Sequence, residues 1–243
     1  MAGRAEPPGG IVAAAARLGV ALDAHQAEQL ESFVDLLGRW NARFNLLSRQ
    51  DMERIWSRHV LDSLSLLPLL PPPPRSRVLD VGSGAGLPGL PLAVASPERT
   101  FLLVDRNQRK TRFLELAVHT LGLVNVRCVC GDVAGLSGEE RFDVIVSRAV
   151  AQPAQLWAWC GHLLAEGGRL VLMTGAGGHP AREAAEPDPS GQPEARSAIP
   201  LTGAHIEARC EIEIPGLDRP HEVTIIRAGE IAQTTGRPEC RMS

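Results

Sequence analysis

The chain has 243 residues, 44% of them apolar, and a formal net charge of −3. That is enough for one large domain, or one domain with a small extension, around a real core, and no global basic excess advertises nucleic acid, although a local patch can still bind it. The lead MAGRAEPPGG has no apolar stretch of signal-peptide length and no run of about 18 apolar residues occurs, so the cytoplasm is the expected location, with no membrane partner.

The five cysteines are odd in number and form no C-x-x-C pair, which argues against a disulfide framework and against a zinc site; no metal is expected. Cys128 and Cys130 lie two apart in an apolar run, a spacing that predicts two buried thiols on one face of a strand.

Residues 1–10 read as a disordered lead. From Ile11 to about Phe44 the pattern is helical, with Leu30, Phe33, Val34 and Leu37 recurring at three- and four-residue steps. Asp51 is the expected N-cap of a helix carrying Arg54 and Arg58, and a further helix is predicted over His59 to Leu67. Pro71 to Pro74 then act as a stiff linker. Beyond Arg75 the texture alternates. Strands are predicted at 77–81, 101–105, 124–129, 142–146 and 169–173, and helices begin at Leu90, Gln108 and Leu156. Such alternation predicts an α/β, doubly wound, mostly parallel sheet. Residues 175–198, rich in Gly, Pro, Ala and Glu, read as a loop or insertion. Strands at about 205–214 and 221–227, joined at Pro215-Gly216, predict an antiparallel C-terminal hairpin. The expected division is a helical cap with its proline linker (1–74), a nucleotide-binding domain (75–229) and a polar tail (230–243).

The glycine cluster Asp80-Val-Gly82-Ser-Gly84-Ala-Gly86-Leu-Pro-Gly89 follows a strand and precedes a helix. Glycines there let the backbone approach a ligand, and the helix start offers N–H groups. Asp105 ends the next strand about 20 residues on, where a carboxylate can take ribose hydroxyls. Gly84, Gly86 and Gly89 also satisfy G-x-G-x-x-G, so a dinucleotide and a nicotinamide-dependent oxidoreductase stay open. Asp80 argues the other way: a carboxylate at the strand end repels pyrophosphate but suits the sulfonium and ammonium of S-adenosylmethionine. Asp132, after the third strand, is placed to meet an adenine. The plainer alternatives are a loop brace for Asp80 and a surface acid for Asp132.

The run His59-Val-Leu-Asp62-Ser63-Leu, then VLDVGSGAGLPGLPLA, Val104-Asp105 with Arg109-Lys110 and Phe113-Leu114, and FDVIVSRAVA resembles the ribosomal small-subunit methyltransferase G family, also called glucose-inhibited division protein B. The similarity spans about 36–173, with a weaker echo at 219–227. It implies a Rossmann-like class I methyltransferase fold and methylation of guanine N7 in 16S ribosomal RNA, within the decoding region of the small ribosomal subunit. It also implies S-adenosylmethionine contacts at Gly82 and Leu87 in the glycine turn, at Val133 and Ala134 beside the adenine, and at Arg148 near the methionine end and the target base. The family usually has lysine where Thr174 stands, arginine at Asp132 and an acid at Ala134, which puts part of the RNA grip and the detail of adenine recognition in doubt.

Guanine N7 carries an in-plane lone pair and no hydrogen, so alignment and water exclusion suffice and no general base is needed. Where amine methyltransferases often place an Asn/Asp-Pro-Pro-aromatic motif, this chain has Ser147-Arg148-Ala149-Val150. Arg148 is then the candidate for guanine O6 or a phosphate, unless it merely pairs with a carboxylate. His59 and Asp62 are three apart on a helix and either cover the pocket or bond locally. Arg49, Arg54, Arg58, Arg75 and Arg77, with Arg106, Arg109, Lys110 and Arg112, form candidate phosphate contacts, and the four tryptophans are expected in the core rather than stacked on bases. A monomer acting on 16S RNA or the small subunit is the expected assembly. A non-catalytic RNA-binding protein with a relic pocket is the remaining alternative.

Overall fold

Asp23 accepts the N–H of Gln26 at 2.8 Å while the Gln26 side chain accepts the N–H of Asp23 at 2.9 Å. This reciprocal cap starts α2 (Ala24–Phe44) and separates it from α1 (Gly10–Ala16), so the predicted long helix is two helices. In the computed structural model, which describes residues 7, 9–72, 76–148, 151–174, 201–229 and 239–242, α3 (Arg49–Glu53) follows. Its N-cap is Ser48, whose Oγ accepts from Asp51 N at 3.1 Å; Asp51 lies inside the helix, a correction to the predicted cap. A π-helical turn over Trp56–Leu61 leads into α4 (Asp62–Leu64) in place of the plain helix predicted there. Of the proline run and of residues 175–198, nothing beyond Pro72 and nothing at all, respectively, falls within the described residues.

The strands are β1 (Arg77–Val81), β2 (Thr100–Asp105), β3 (Val126–Cys130), β4 (Phe142–Arg148), β5 (Leu164–Thr174), β6 (Ala204–Ile212), β7 (His221–Ala228) and β8 (Glu239–Met242), interleaved with α5 (Gly89–Ala95), α6 (Gln108–Leu121) and α7 (Pro153–Cys160). They form one sheet in the order β3-β2-β1-β4-β5-β7-β6-β8. The first five are parallel, and β7 runs antiparallel to both β5 and β6. This is the doubly wound sheet with a C-terminal hairpin that the strand–helix alternation predicts. β8 pairs parallel to β6, so part of the segment read as a polar tail belongs to the sheet.

Side chains alternate across each strand, and the two faces bury separate apolar layers. One layer holds Val78, Val144, Val146, Val171, Val223 and Ile225 against the helical cap, α5 and α6. The other holds Leu79, Val81, Ile145, Leu170 and Leu172 against α7. The tryptophans are structural as expected: Trp56 is buried, Trp40 packs on Phe113 with ring centroids 5.8 Å apart, and Trp157 and Trp159 pack in the second layer. Cys128 and Cys130 depart from the reading, being half-buried and exposed, because β3 is the edge strand and its cover thins toward its end.

One polar pair crosses the first layer. His221 Nδ1, at the start of β7, lies 2.7 Å from Asp62 Oδ1, and both residues are buried. Removing one partner strands the other away from water. Asp62→Ala or His221→Ala is therefore expected to cost about 3 kcal/mol, a fall of roughly 6–12 °C in Tm for a chain of this size. The double variant should cost less than the sum of the two. Thermal melts with single variants indistinguishable from the parent would refute this.

Candidate active site

The strand order reverses between β1 and β4, and the crevice beyond their carboxyl ends is where a doubly wound sheet binds ligands. Val81 pairs with Ser147 in register, and Ser147 Oγ donates to Val81 O at 2.9 Å, which fastens the two strand ends together. Alternation places Val78 and Asp80 of β1 and Val144, Val146 and Arg148 of β4 on the cap side of the sheet.

The glycine turn is held by two carboxylates. Gly82 N donates to Val104 O at 2.8 Å, and Gly84 N to Asp105 Oδ2 at 2.9 Å. Asp105 Oδ1 accepts from Asn107 N at 2.8 Å, so this residue, 7% exposed, joins the turn to the start of α6. Gly84 has φ +56°, and a Cβ on it would stand 4.0 Å from Asp105 Oδ2 and 3.9 Å from Lys110 Nζ, covering the approach to that carboxylate. Asp80 is only 1% exposed, and its Oδ2 accepts from Gly89 N at 2.9 Å. A Cβ on Gly89 would fall 2.6 Å from that oxygen and 3.1 Å from Leu103 Cγ, which explains why Gly follows Leu87-Pro88. Thus Asp80 braces the loop with one oxygen, the plainer of its two sequence readings. Its other oxygen, Oδ1, is buried without a hydrogen-bond partner. Burial pushes the Asp80 pKa up to about 7, against the opposing pull of the Gly89 N–H, Ser83 and the Arg148 charge.

Arg148 does not pair with a carboxylate of the loop. One of its guanidinium nitrogens, Nη1, donates to Nδ1 of His59 on the π-helical turn. His59 Nε2 in turn lies 3.3 Å from Asp51 Oδ1, which also receives Arg58 Nε at 3.2 Å. Burial lowers the Arg148 and His59 pKa values, and the His59 ring holds the Asp51 carboxyl well below its usual range. His59 and Asp62 accordingly bond to separate partners, not to each other. His221 is a polar residue of this region that sequence spacing does not single out, since its partner Asp62 lies 159 residues away; Asp51 and Ser147 stand out in the sequence as a cap and a motif position, not for these contacts.

On the β3 side, Val133 is buried and Ala134 is exposed. Asp132 caps the 3-10 turn Val133–Gly135, its Oδ1 accepting from Ala134 N at 3.0 Å, while Oδ2 faces Arg106 Nη1 at 3.9 Å. The Ala134 N–H expected beside an adenine is therefore already engaged. Leu87 is buried in the turn. Among the candidate phosphate contacts, Arg77 is misassigned: it pairs with Glu140 and lies over the Phe142 ring, 5.4 Å from its centroid, at the opposite end of β1 from the crevice. Arg75, Ala149 and Val150 lie outside the described residues. Arg106, Arg109 and Arg112 are exposed on and before α6, beyond Asp105. A separate open concavity of about 430 Å³, lined by Val118, His119, Leu123 and Cys128 among others, flanks the edge strand at the far end of α6 and takes no part in this arrangement.

The family model described as rRNA small subunit methyltransferase G matches residues 26–204. A protein of Laribacter hongkongensis named ribosomal RNA small subunit methyltransferase G is 40% identical over 203 residues, covering 84% of this chain and 89% of its own length. The protein of that name from Shigella flexneri is 34% identical over 213 residues, with 88% and 94% covered. Among solved structures, a ribosomal protein L11 methylase of Lactobacillus delbrueckii subsp. bulgaricus aligns with a TM-score of 0.48 at 15% identity, over 76% of this chain and 81% of that one.

The raised pKa of Asp80 has a sign that can be read in stability. Below about pH 4 both states carry this proton and the contribution is full; above that the unfolded chain ionises while the fold keeps its proton, so the contribution is lost progressively as pH rises to about 7. Asp80→Asn keeps an acceptor for Gly89 N and cannot ionise. Its Tm should gain on the parent's as pH rises, by several degrees between about pH 4 and about pH 8, in thermal melts across that range. Parallel pH profiles for the two proteins would show the account of Asp80 to be wrong.

Proposed function

We propose that this chain, which belongs to the rRNA small subunit methyltransferase G family, transfers a methyl group from S-adenosylmethionine to N7 of a guanine in 16S ribosomal RNA. The observation that carries the reading is the content of the β1/β4 crevice: a carboxylate-braced glycine turn on one side, Arg148 on the other, and a Ser147 hydroxyl whose proton is committed to Val81. The residues fit the cofactor. Gly84 leaves open the approach to Asp105, whose oxygens keep acceptor capacity for ribose hydroxyls beyond the two N–H groups they hold. Asp80 Oδ1 is an unused buried acceptor beside the turn, suited to a cationic donor. Gly82 and Leu87 shape the turn, and Val133, Ala134 and Asp132 border the adenine side.

When bound, S-adenosylmethionine supplies a methyl group already activated on a sulfonium. The chain's own work is then alignment. A guanine N7 attacks with a free lone pair, so no side chain has to remove a proton, and the crevice contents agree with that. Arg148 is assigned to the base side, where a guanidinium can donate to guanine O6 or to a flanking phosphate. Arg106, Arg109 and Arg112 are assigned to the RNA backbone, with Arg49 and Arg54 on the cap; such contacts weaken as salt rises. The substrate is free 16S RNA or the assembled small subunit, and the setting is the cytoplasm; among the described residues no helix is long and apolar enough to cross a membrane.

Deleting the gene is expected to remove a 7-methylguanine from 16S RNA, read by mass spectrometry of RNA fragments, and the parent gene should restore it. Arg148→Ala should fail to restore the mark while its circular dichroism stays native. Survival of the mark after deletion overturns the substrate, full turnover by Arg148→Ala overturns the role of that residue, and calorimetric binding of NAD but not S-adenosylmethionine overturns the cofactor.

A further inference from the structure

Arg148 is held by an uncommon partner. A guanidinium has donors only, so the His59 Nδ1 it touches must be an unprotonated acceptor. The ring proton then sits on Nε2, which faces the Asp51 carboxylate. His59 is buried between the cap and the sheet, so the ring has little freedom to turn. The segment that carries it is fixed twice: Asp62, one residue past the π turn, is clamped by His221 of β7. A π turn takes more residues per turn than an α turn and so spreads positions three apart. Here it sends His59 toward β4 and Asp62 toward β7, instead of stacking them on one face.

We propose that His59 is a positioning residue for methyl transfer, its Nδ1 holding the Arg148 guanidinium in the orientation that meets the RNA base. The inference rests on the role given to Arg148 above. His59 touches neither cofactor nor base in this account. It acts through Arg148, while Asp51 selects the tautomer that leaves Nδ1 free.

A consequence is a dependence on pH. The charged groups facing His59 are Asp51 from α3, Arg148 from β4 and Asp62 from its own segment, with Arg58 paired to Asp51. Burial and the Arg148 charge favour the neutral ring, and Asp51 and Asp62 oppose them. A protonated His59 would set N–H against N–H and expel the guanidinium, so turnover should fall in the acid range.

Three substitutions separate this from a packing role. Asn carries Oδ1 two bonds beyond Cβ, where histidine has Nδ1; Gln carries its acceptor one bond farther, where histidine has Nε2. His59→Asn should therefore keep kcat near the parent value, whereas His59→Gln and His59→Leu should lose about tenfold to a hundredfold in kcat. Cofactor affinity by calorimetry should move little in any of them; Tm should fall in His59→Leu, which leaves the guanidinium without its acceptor, so kcat is compared at a temperature where circular dichroism shows every variant folded. The assay uses small subunits and 16S RNA lacking the mark, at saturating S-adenosylmethionine. The parent enzyme should also lose kcat, but only as pH falls below the ordinary histidine value of about 6.5, and His59→Asn should not. Equal loss in the Asn and Gln variants, parent-like kcat in the Leu variant, or an acid decline that persists in His59→Asn overturns the proposal. Because Arg148→Ala is measured alongside, a parent-like Leu variant with an inactive Arg148→Ala defeats only this inference, whereas an active Arg148→Ala defeats the reading beneath it.

Discussion

A guanidinium drawn out of water between a sheet and its helical cover has to be hydrogen-bonded, because an unpaired buried charge costs more than most folds have to spare. Arg148, half-buried at the end of β4, approaches that position, and the cap supplies its hydrogen-bond partner. Its nearest donor target is a histidine ring, and that ring faces a carboxylate which a second arginine also contacts. A parallel contact, Asp62 with His221, fixes the same cap segment to the other half of the sheet. The cap therefore serves as more than cover for Val144, Val146 and Ile225. It supplies the polar half of a seam whose other half is β4 and β7.

Strand alternation is what made half of that seam legible. Within its own strand, alternation puts Asp80 on the face of Val78 and Arg148 on that of Val144 and Val146; that the two faces coincide comes from the β1–β4 register. The glycine turn and Asp105 were legible for a similar reason, since a tight turn and the end of the next strand are local signals. The doubly wound, mostly parallel character of the sheet followed from the alternation of strands with helices. What spacing does not reveal is the partner. His59 and Arg148 are 89 residues apart, and Asp62 and His221 are 159 apart, so their contacts exist only once the sheet order has been set. Reading His59 and Asp62 as a helical pair assumed an α-helix where the chain makes a π turn. Arg77 looked like a phosphate contact for want of the same information: its position at the start of β1 assigns it to the wrong end of the sheet.

The loop Gly-Leu-Pro-Gly shows a second kind of coupling. Gly89 has no room for a side chain because Asp80 occupies it, and Asp80 is there because Gly89 N needs an acceptor at the start of α5. One carboxylate thus fixes the loop and, through its remaining oxygen, keeps a buried acceptor at the crevice. That explains how a motif can resemble a dinucleotide fingerprint while serving another ligand. A buried carboxyl whose ionised form is already disfavoured is poor company for a pyrophosphate and good company for a cation. Beyond β3 the carboxylate of Asp132 closes on Ala134 N, so this side of the crevice is braced by an acid as the glycine turn is.

These arrangements share a chemical character. Ser147, Asp105, His59 and Asp51 each spend hydrogen-bonding capacity on a neighbour within the protein, while Asp80 keeps one free oxygen, which a bound S-adenosylmethionine cation would take. A site that had to deprotonate an amine would need one of these groups uncommitted and titrating freely. A nucleophile that brings its own lone pair, and a methyl group that arrives activated, need instead fixed positions and dry surroundings. Mutual commitment of the polar groups supplies both: it holds Arg148 and the glycine turn at set places across a crevice, and it leaves little for water to solvate. The rigidity of the seam and the lack of a general base are thus two consequences of one design, in which orientation stands where proton transfer would otherwise be required.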